Sequence, residues 1–133
     1  MHHHHATATG LAVTATRPAS GLAVVRVRGE LDRDTEPYFT RCLQTLLDAA
    51  TEVVVVDLAE VTFLAARGVD AVVEGATRAG AQEVALRLVG RRSDAVVRAF
   101  SAAGALDLLD PEPDADDVLR ALLPGRGEDG GSP

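Results

Sequence analysis

The sequence of 133 residues is short of several residue types on which catalysis and metal binding depend. All four histidines lie in residues 2–5, a run typical of a purification tag. Without a histidine elsewhere, neither a Ser-His-Asp triad nor a histidine-rich zinc site can be built. Lysine is absent, since every basic residue is arginine. This excludes a Schiff-base amine and the lysine of a phosphate-binding P-loop.

Cysteine and long apolar runs are also scarce. The single cysteine, Cys42, can form neither an intramolecular disulfide nor a cysteine cluster for a metal, and its apolar neighbours favour a buried, inert thiol. No apolar run approaches the roughly 20 residues that span a bilayer. With one thiol and no signal peptide, we expect a cytoplasmic protein. We also expect no metal, no cofactor and no enzymatic activity.

Negative charge is concentrated at one end of the chain. Residues 6–106 hold twelve acidic residues and eleven arginines, whereas residues 107–133 hold eight acidic residues and two arginines. An acidic protein without a basic patch is a poor candidate for binding nucleic acid or an anionic membrane. We therefore expect a protein or a small molecule as the partner.

Hydrophobic periodicity predicts strands that alternate with helices. The run Val53–Val56 has no polar alternation, which is typical of a central strand covered on both faces. We predict a single α/β domain with a mixed central sheet and helices packed on it. The predicted strands are 11–16, 22–28, 52–58 and 84–89, with an edge strand near 106–109, and the predicted helices are 35–50, 67–79, one that begins near Ser93, and 116–123.

Three parts of the chain are distinguished by composition. Residues 1–10 are interpreted as a tag remnant and a disordered N-terminus, and residues 11–123 as the domain. Residues 124–133, rich in glycine and acidic residues, are predicted to be a disordered tail. Within the domain, Gly80 is expected to end the helix 67–79, since glycine often follows a helix C-terminus.

Two segments, taken with their spacing, carry a resemblance to a known family. Val27-Arg-Gly-Glu-Leu-Asp32 precedes the first helix, and Val54-Val-Val-Asp57-Leu-Ala-Glu-Val-Thr-Phe-Leu64 leads to Gly68 at the second. This pattern resembles the STAS domain, the fold of bacterial anti-sigma factor antagonists. The resemblance covers essentially residues 11–106, and it implies a protein-binding regulator whose partner is an anti-sigma factor or a GHKL-type serine kinase.

The sequence departs from this family at the loop before the second helix. The family commonly has Asp-Ser-Ser/Thr-Gly there, and the hydroxyl residue before the glycine is phosphorylated by the partner kinase. This chain has Ala65-Ala-Arg-Gly68, so the family's acceptor position is occupied by Arg67. Alanine cannot be phosphorylated and arginine carries the opposite charge to phosphate. The resemblance therefore implies binding without phosphorylation at this position.

We predict that the partner surface comprises the loop 59–68 and the exposed side of the helix 67–79. The alternative is a small-ligand sensor, in which Arg67 and the N–H groups of a helix start bind a nucleotide or another anion. A scaffolding role and homodimerisation also stay open. The candidate contact residues are Asp32, Ala66, Arg67, Gly68, Asp70 and Glu74.

Overall fold

A computed structural model describes residues 3–8 and 10–123 of the chain. Its centre is a mixed five-stranded sheet in the order β1-β2-β3-β4-β5. Strands β1 to β3 are antiparallel, and β4 and β5 run parallel to β3. The elements, in chain order, are β1 (His3–Ala8), β2 (Leu11–Ala19), β3 (Leu22–Leu31), α1 (Glu36–Asp48), β4 (Val53–Leu64), α2 (Ala66–Ala81), β5 (Ala85–Val89), α3 (Asp94–Ala102), a 3-10 turn (Leu106–Leu108) and α4 (Ala115–Leu122). The predicted single α/β domain with a mixed sheet is confirmed.

The two faces of the sheet are covered unequally. Val54 and Val56 of β4 point to the first face, where α1, α2 and α3 form the main core with Phe39 and Phe100 fully buried. Val55 points to the second face, where α4 covers a separate, smaller cluster. The β-branched run Val53–Val56 is therefore buried from both sides, as its lack of polar alternation predicts.

Several helix boundaries follow from local sequence signals. Pro37 lies in the first turn of α1, where the missing N–H costs nothing. The Ser93 hydroxyl caps α3 by accepting a hydrogen bond from the Val96 amide, and Gly104, at φ +70°, lies just beyond its end. The Asp114 carboxylate caps α4 by accepting from the Asp117 amide.

Gly80 does not end α2, contrary to the prediction. The helix continues through Gly80 to Ala81, and the left-handed position that follows is occupied by Glu83, at φ +60°. The Val84 amide donates to Ala79 O across this turn, at 2.8 Å. The helix thus ends in a local Schellman-type turn, in which Glu83 takes the left-handed position that glycine usually occupies.

The prediction of a loop over 59–68 was wrong, because β4 continues to Leu64. Residues beyond Asp57 stay extended since they pair with the second half of β3, up to the pair Leu31 and Leu64. Two irregularities in this pairing shift the register, one after Asp57 and one between Val61 and Phe63. Only Ala65 separates the strand from α2.

The predicted edge strand near 106–109 was also wrong. Residues 106–108 form a 3-10 turn, and the chain contacts β5 through a single backbone hydrogen bond from Asp110 N to Leu88 O, at 2.7 Å. The Arg91 guanidinium donates to three carbonyls of this segment, those of Leu106, Leu109 and Asp110. The segment is thus held mainly by the Arg91 side chain, and it makes no strand pairing with β5.

Within the N-terminal segment 1–10, which was interpreted as a tag remnant and a disordered N-terminus, residues 3–8 form β1, antiparallel to β2. The outer edge of β2 presents backbone N–H and C=O groups to which an extended segment can pair. The tail 124–133 lies outside the described residues.

Candidate functional site

The candidate surface lies where β3 and β4 end side by side and α2 begins. The Ala65 amide donates to Leu31 O at 3.0 Å, which ties the start of α2 to the end of β3. Ala65 is the N-cap residue of α2 and offers no side-chain cap. The first turn of α2 is therefore built from Ala65–Gly68 without a hydroxyl group, at the position where the family places its phosphorylation site.

Gly68 allows α2 to approach the sheet closely. A Cβ atom at this position would lie 2.7 Å from Leu31 O and 2.7 Å from Leu64 Cδ1. A backbone oxygen cannot move aside as a flexible side chain can, so glycine is the residue that fits. Gly68 is buried, and it shapes the predicted surface without lying on it.

The charge of Arg67 is balanced from within the protein. Its Nε lies 3.3 Å from Oε1 of Glu36, at the start of α1. The Arg67 side chain is 47% exposed, whereas the Glu36 side chain is only 11% exposed and also accepts a hydrogen bond from the Thr40 hydroxyl. A carboxylate already bound to the guanidinium competes with any incoming anion. This arrangement opposes the anion-sensor alternative at Arg67.

Asp32 holds the turn that leads from β3 into α1. Its Oδ1 accepts hydrogen bonds from the amides of Asp34 and Thr35, at 2.9 and 3.0 Å. The hydrogen bond from the Thr35 amide is the main cause that lowers the pKa of Asp32. The carboxylate is half-buried, and one of its oxygens is engaged in this turn.

The other predicted contact residues share one exposed face of α2. Ala66, Arg67, Asp70 and Glu74 are all exposed, and their spacing of three and four residues places them along one stripe of the helix. The structure therefore brings these four side chains together, with Gly68 behind them and Asp32 at the neighbouring turn.

Two exposed aromatic side chains outside α2 were not predicted from the sequence. Phe63, at the end of β4, is 51% exposed, and Tyr38, in the first turns of α1, is 41% exposed. The Arg41 guanidinium lies 5.7 Å from the centre of the Tyr38 ring. Large exposed apolar side chains are a feature of protein-binding surfaces. The apolar pair Phe63-Leu64 is typical of packed residues, and the bulge that turns Phe63 outward leaves no signal in the sequence.

Two other hydroxyl groups, those of Thr62 and Ser93, do not replace the missing acceptor in the first turn of α2. Ser93 is buried, and its hydroxyl donates to Val61 O at 2.6 Å while capping α3. Thr62 is exposed, but it lies on β4, where its hydroxyl donates to Gly29 O at 3.3 Å. Ser93 is therefore inaccessible and already hydrogen-bonded, and Thr62 lies on β4 and not in the first turn of α2.

Within the described part of the chain, no three histidine, cysteine, aspartate or glutamate side chains are grouped so that they could hold a metal ion. None of the described helices is both long and apolar enough to cross a membrane.

A family model for the STAS domain matches residues 14–118. The chain therefore belongs to the STAS domain family. No curated protein matches it.

Solved structures show the same fold. An anti-sigma factor antagonist from Mycobacterium paratuberculosis is 24% identical with a TM-score of 0.74, and the match covers 88% of this chain and 97% of that one. The anti-sigma factor antagonist SpoIIAA in its unphosphorylated form is 16% identical with a TM-score of 0.70, over 84% of this chain and 96% of that one. SLC26A9 is 14% identical with a TM-score of 0.63, and the match covers 86% of this chain but 21% of SLC26A9. The fold thus occurs both as nearly a whole chain and as a small part of a larger one.

Proposed function

We propose that this STAS domain is a non-enzymatic, protein-binding regulator of bacterial transcription that acts in the cytoplasm as an anti-sigma factor antagonist. Its partner would be an anti-sigma factor or a GHKL-type serine kinase. Two structural neighbours that match over nearly their whole length are anti-sigma factor antagonists, which supports this class of partner.

The observation that carries the proposal is the surface at the start of α2. An exposed Phe63 lies at the end of the strand that leads into α2, whose exposed stripe carries Arg67, Asp70 and Glu74. Aromatic side chains are enriched at the centre of protein interfaces, and charged groups are common at the rim.

The proposed mode of binding does not depend on phosphorylation at the helix start. A phosphate at this point would add a charge of about −1.5 to −2 and break a complex by repulsion and desolvation. Ala65, Ala66 and Arg67 offer no hydroxyl group, and Glu36 neutralises Arg67. The surface would therefore stay competent for binding in the presence of ATP.

The first experiment is capture of partners from a lysate of the source bacterium, followed by calorimetry with the purified kinase or anti-sigma factor. Phe63→Ala should weaken binding about 30-fold, as loss of a hot-spot aromatic of about 2 kcal/mol would. Arg67→Asp reverses a charge on the exposed stripe of α2, so it should weaken binding of an acidic partner surface or strengthen binding of a basic one. Arg120→Asp is the control, since Arg120 is exposed and lies on α4, which covers the opposite face of the sheet. Failure to recover such a partner, or equal affinities for all three variants, would overturn the proposal.

A gain-of-function variant tests the missing switch. In Ala66→Ser/Arg67→Ser, hydroxyl groups return to the family's acceptor positions. With a kinase partner and ATP, this variant should gain a phosphate by mass spectrometry and dissociate, whereas the parent chain should remain bound and unmodified. Phosphorylation of the parent chain and loss of its complex would contradict binding without phosphorylation.

A further inference from the structure

The second face of the sheet is covered by one short helix. Helix α4 buries Ala115 and Val118 against an apolar patch made by strands β3, β4 and β5, with other apolar side chains of α4 only partly buried. This cluster is separate from the main core. The residues of the sheet that form the patch are Leu22, Val24, Val55 and Val89.

Arginines of the sheet and of the following loop bind the aspartates around the start of α4. Arg26 on β3 contacts Asp116, with 3.0 Å between Nη2 and Oδ1. Arg92, which precedes α3, contacts Asp114, with 2.7 Å between Nη2 and Oδ2. The acidic excess near the C-terminus of the sequence is thus partly paired with basic side chains of the domain body.

A second kind of contact fixes the first turn of α4. Asp57, a buried residue at the end of the β-branched run, accepts a hydrogen bond from the Ala115 amide at 2.9 Å. The same oxygen of Asp57 lies 3.5 Å from Nη1 of Arg26. Arg26 therefore bridges the sheet and the helix, between Asp57 and Asp116.

These contacts surround a cleft of about 300 Å3 on the second face. Its wall is not that of an anion site, because four carboxylates outnumber three guanidinium groups there. The charged residues are Arg26, Arg28, Arg92, Asp57, Glu60, Asp114 and Asp116. Opposite charges facing each other across this cleft attach the helix to the sheet.

The attachment of α4 is weak by two criteria. A helix of eight residues is not stable by itself, so α4 depends on its contacts with the sheet. Exposed ion pairs contribute little and are screened by salt, and Arg26, Arg92 and Asp116 have side chains exposed by 43%, 60% and 66%. Local regions with few buried contacts open well below the free energy of global unfolding.

We propose that α4 is an electrostatic latch: it undocks as a unit while the rest of the domain stays folded, and it thereby uncovers the apolar patch of the second face. Arg26 is the residue that couples the helix to the sheet. Ionic strength, or a change of charge at Asp114 or Asp116, sets the fraction of open molecules.

Hydrogen exchange of the full chain, followed by mass spectrometry, tests the latch. At low salt, the amides of α4 should exchange faster than those of α2. In 1 M NaCl, the exchange rate of the α4 amides should rise several-fold, whereas that of the α2 amides should change less than twofold. Asp116→Arg, which places two arginines together, should speed exchange of α4 by about tenfold. Binding of a hydrophobic dye should rise in parallel, because the patch is uncovered.

Asp117→Arg is the matched control. Asp117 lies in the same first turn and carries the same charge, but its ion pair is with Arg120 of the same helix and not with the sheet. This variant has the same effect on the helix dipole, and it should leave the salt-dependent docking intact.

Three results would overturn the latch. First, the α4 amides could exchange only through global unfolding, at a rate that does not depend on salt; this would show that the helix is a permanent part of the core. Equal effects of Asp116→Arg and Asp117→Arg would show that intrahelical charge matters and contact with Arg26 does not. Exchange of α2 that rises together with that of α4 would show that the two helices unfold as one unit.

Discussion

The two faces of one sheet are stabilised by different interactions. The first face buries Phe39, Phe100 and a continuous apolar core under three helices. The second face has a small apolar patch under α4, bordered by ion pairs of Arg26 and Arg92. Hydrophobic burial is hardly affected by salt, whereas exposed ion pairs are screened by it. The first face therefore maintains the fold, while the second can respond to solution conditions.

The largest effect is expected from truncation of the first face. Phe39→Ala should lower the free energy of unfolding by about 3–5 kcal/mol, because it leaves a large cavity in the main core. Val118→Ala on the second face removes less volume and should cost about 2 kcal/mol. Urea denaturation measures both changes. Equal losses for the two variants would remove the distinction between the faces.

A smaller effect on the free energy of unfolding is expected from glycine substitutions in α2, which packs closely on the first face. Gly68→Ala should destabilise the protein by about 1–3 kcal/mol, since its Cβ would meet the backbone oxygen of Leu31. Gly80→Ala in the same helix meets nothing within 4 Å and should stabilise by about 0.5–1 kcal/mol. Thermal unfolding of both variants checks the signs. Destabilisation by Gly80→Ala would indicate a contact at the end of α2 that the structure does not show.

The smallest effect is expected from pH, at the segment that leads into α4. The hydrogen bond from Arg87, at 2.5 Å, is the main cause that lowers the pKa of Asp110 below its ordinary value of 3.8, and the Glu112 amide and Arg91 act in the same direction. A carboxyl whose pKa is lowered by folding stabilises the folded state above its ordinary pKa. That contribution is lost as pH falls through the lowered value.

Asp110→Asn should therefore lose less stability than the parent chain when the pH is taken from about 7 to about 3, a range that reaches below the ordinary pKa of the carboxyl. Melting temperatures across this range measure the difference. Parallel curves for the two proteins would mean that the ion pair between Arg87 and Asp110 contributes no pH dependence.

Much of the fold could be predicted from local patterns in the sequence. The run Val53–Val56 indicated a central strand. The spacing of a helix is seen in four apolar residues that are all buried in α1: Phe39, Leu43, Leu46 and Leu47. The STAS family was also recognisable, because two short segments fall at the family's spacing. These signals lie within stretches of the chain short enough for their periodicity to be read directly.

What the sequence could not show depends on contacts between distant residues. The continuation of β4 to Leu64 follows from pairing with β3, and the ion pair between Arg67 and Glu36 joins residues 31 positions apart. The exposure of Phe63 follows a register shift. From the sequence, the acidic segment near the C-terminus indicated only an excess of negative charge. Arg26, which binds Asp116, lies 90 positions away in the sequence, so no local pattern indicates this contact.

Strand β1 has a practical consequence for work with this protein. The histidine run supplies half of that strand, and its backbone pairs with β2 from His3 opposite Thr16 to Ala8 opposite Leu11. Removing residues 1–8 would expose the hydrogen-bonding edge of β2, so self-association and melting temperature should be compared with and without this segment.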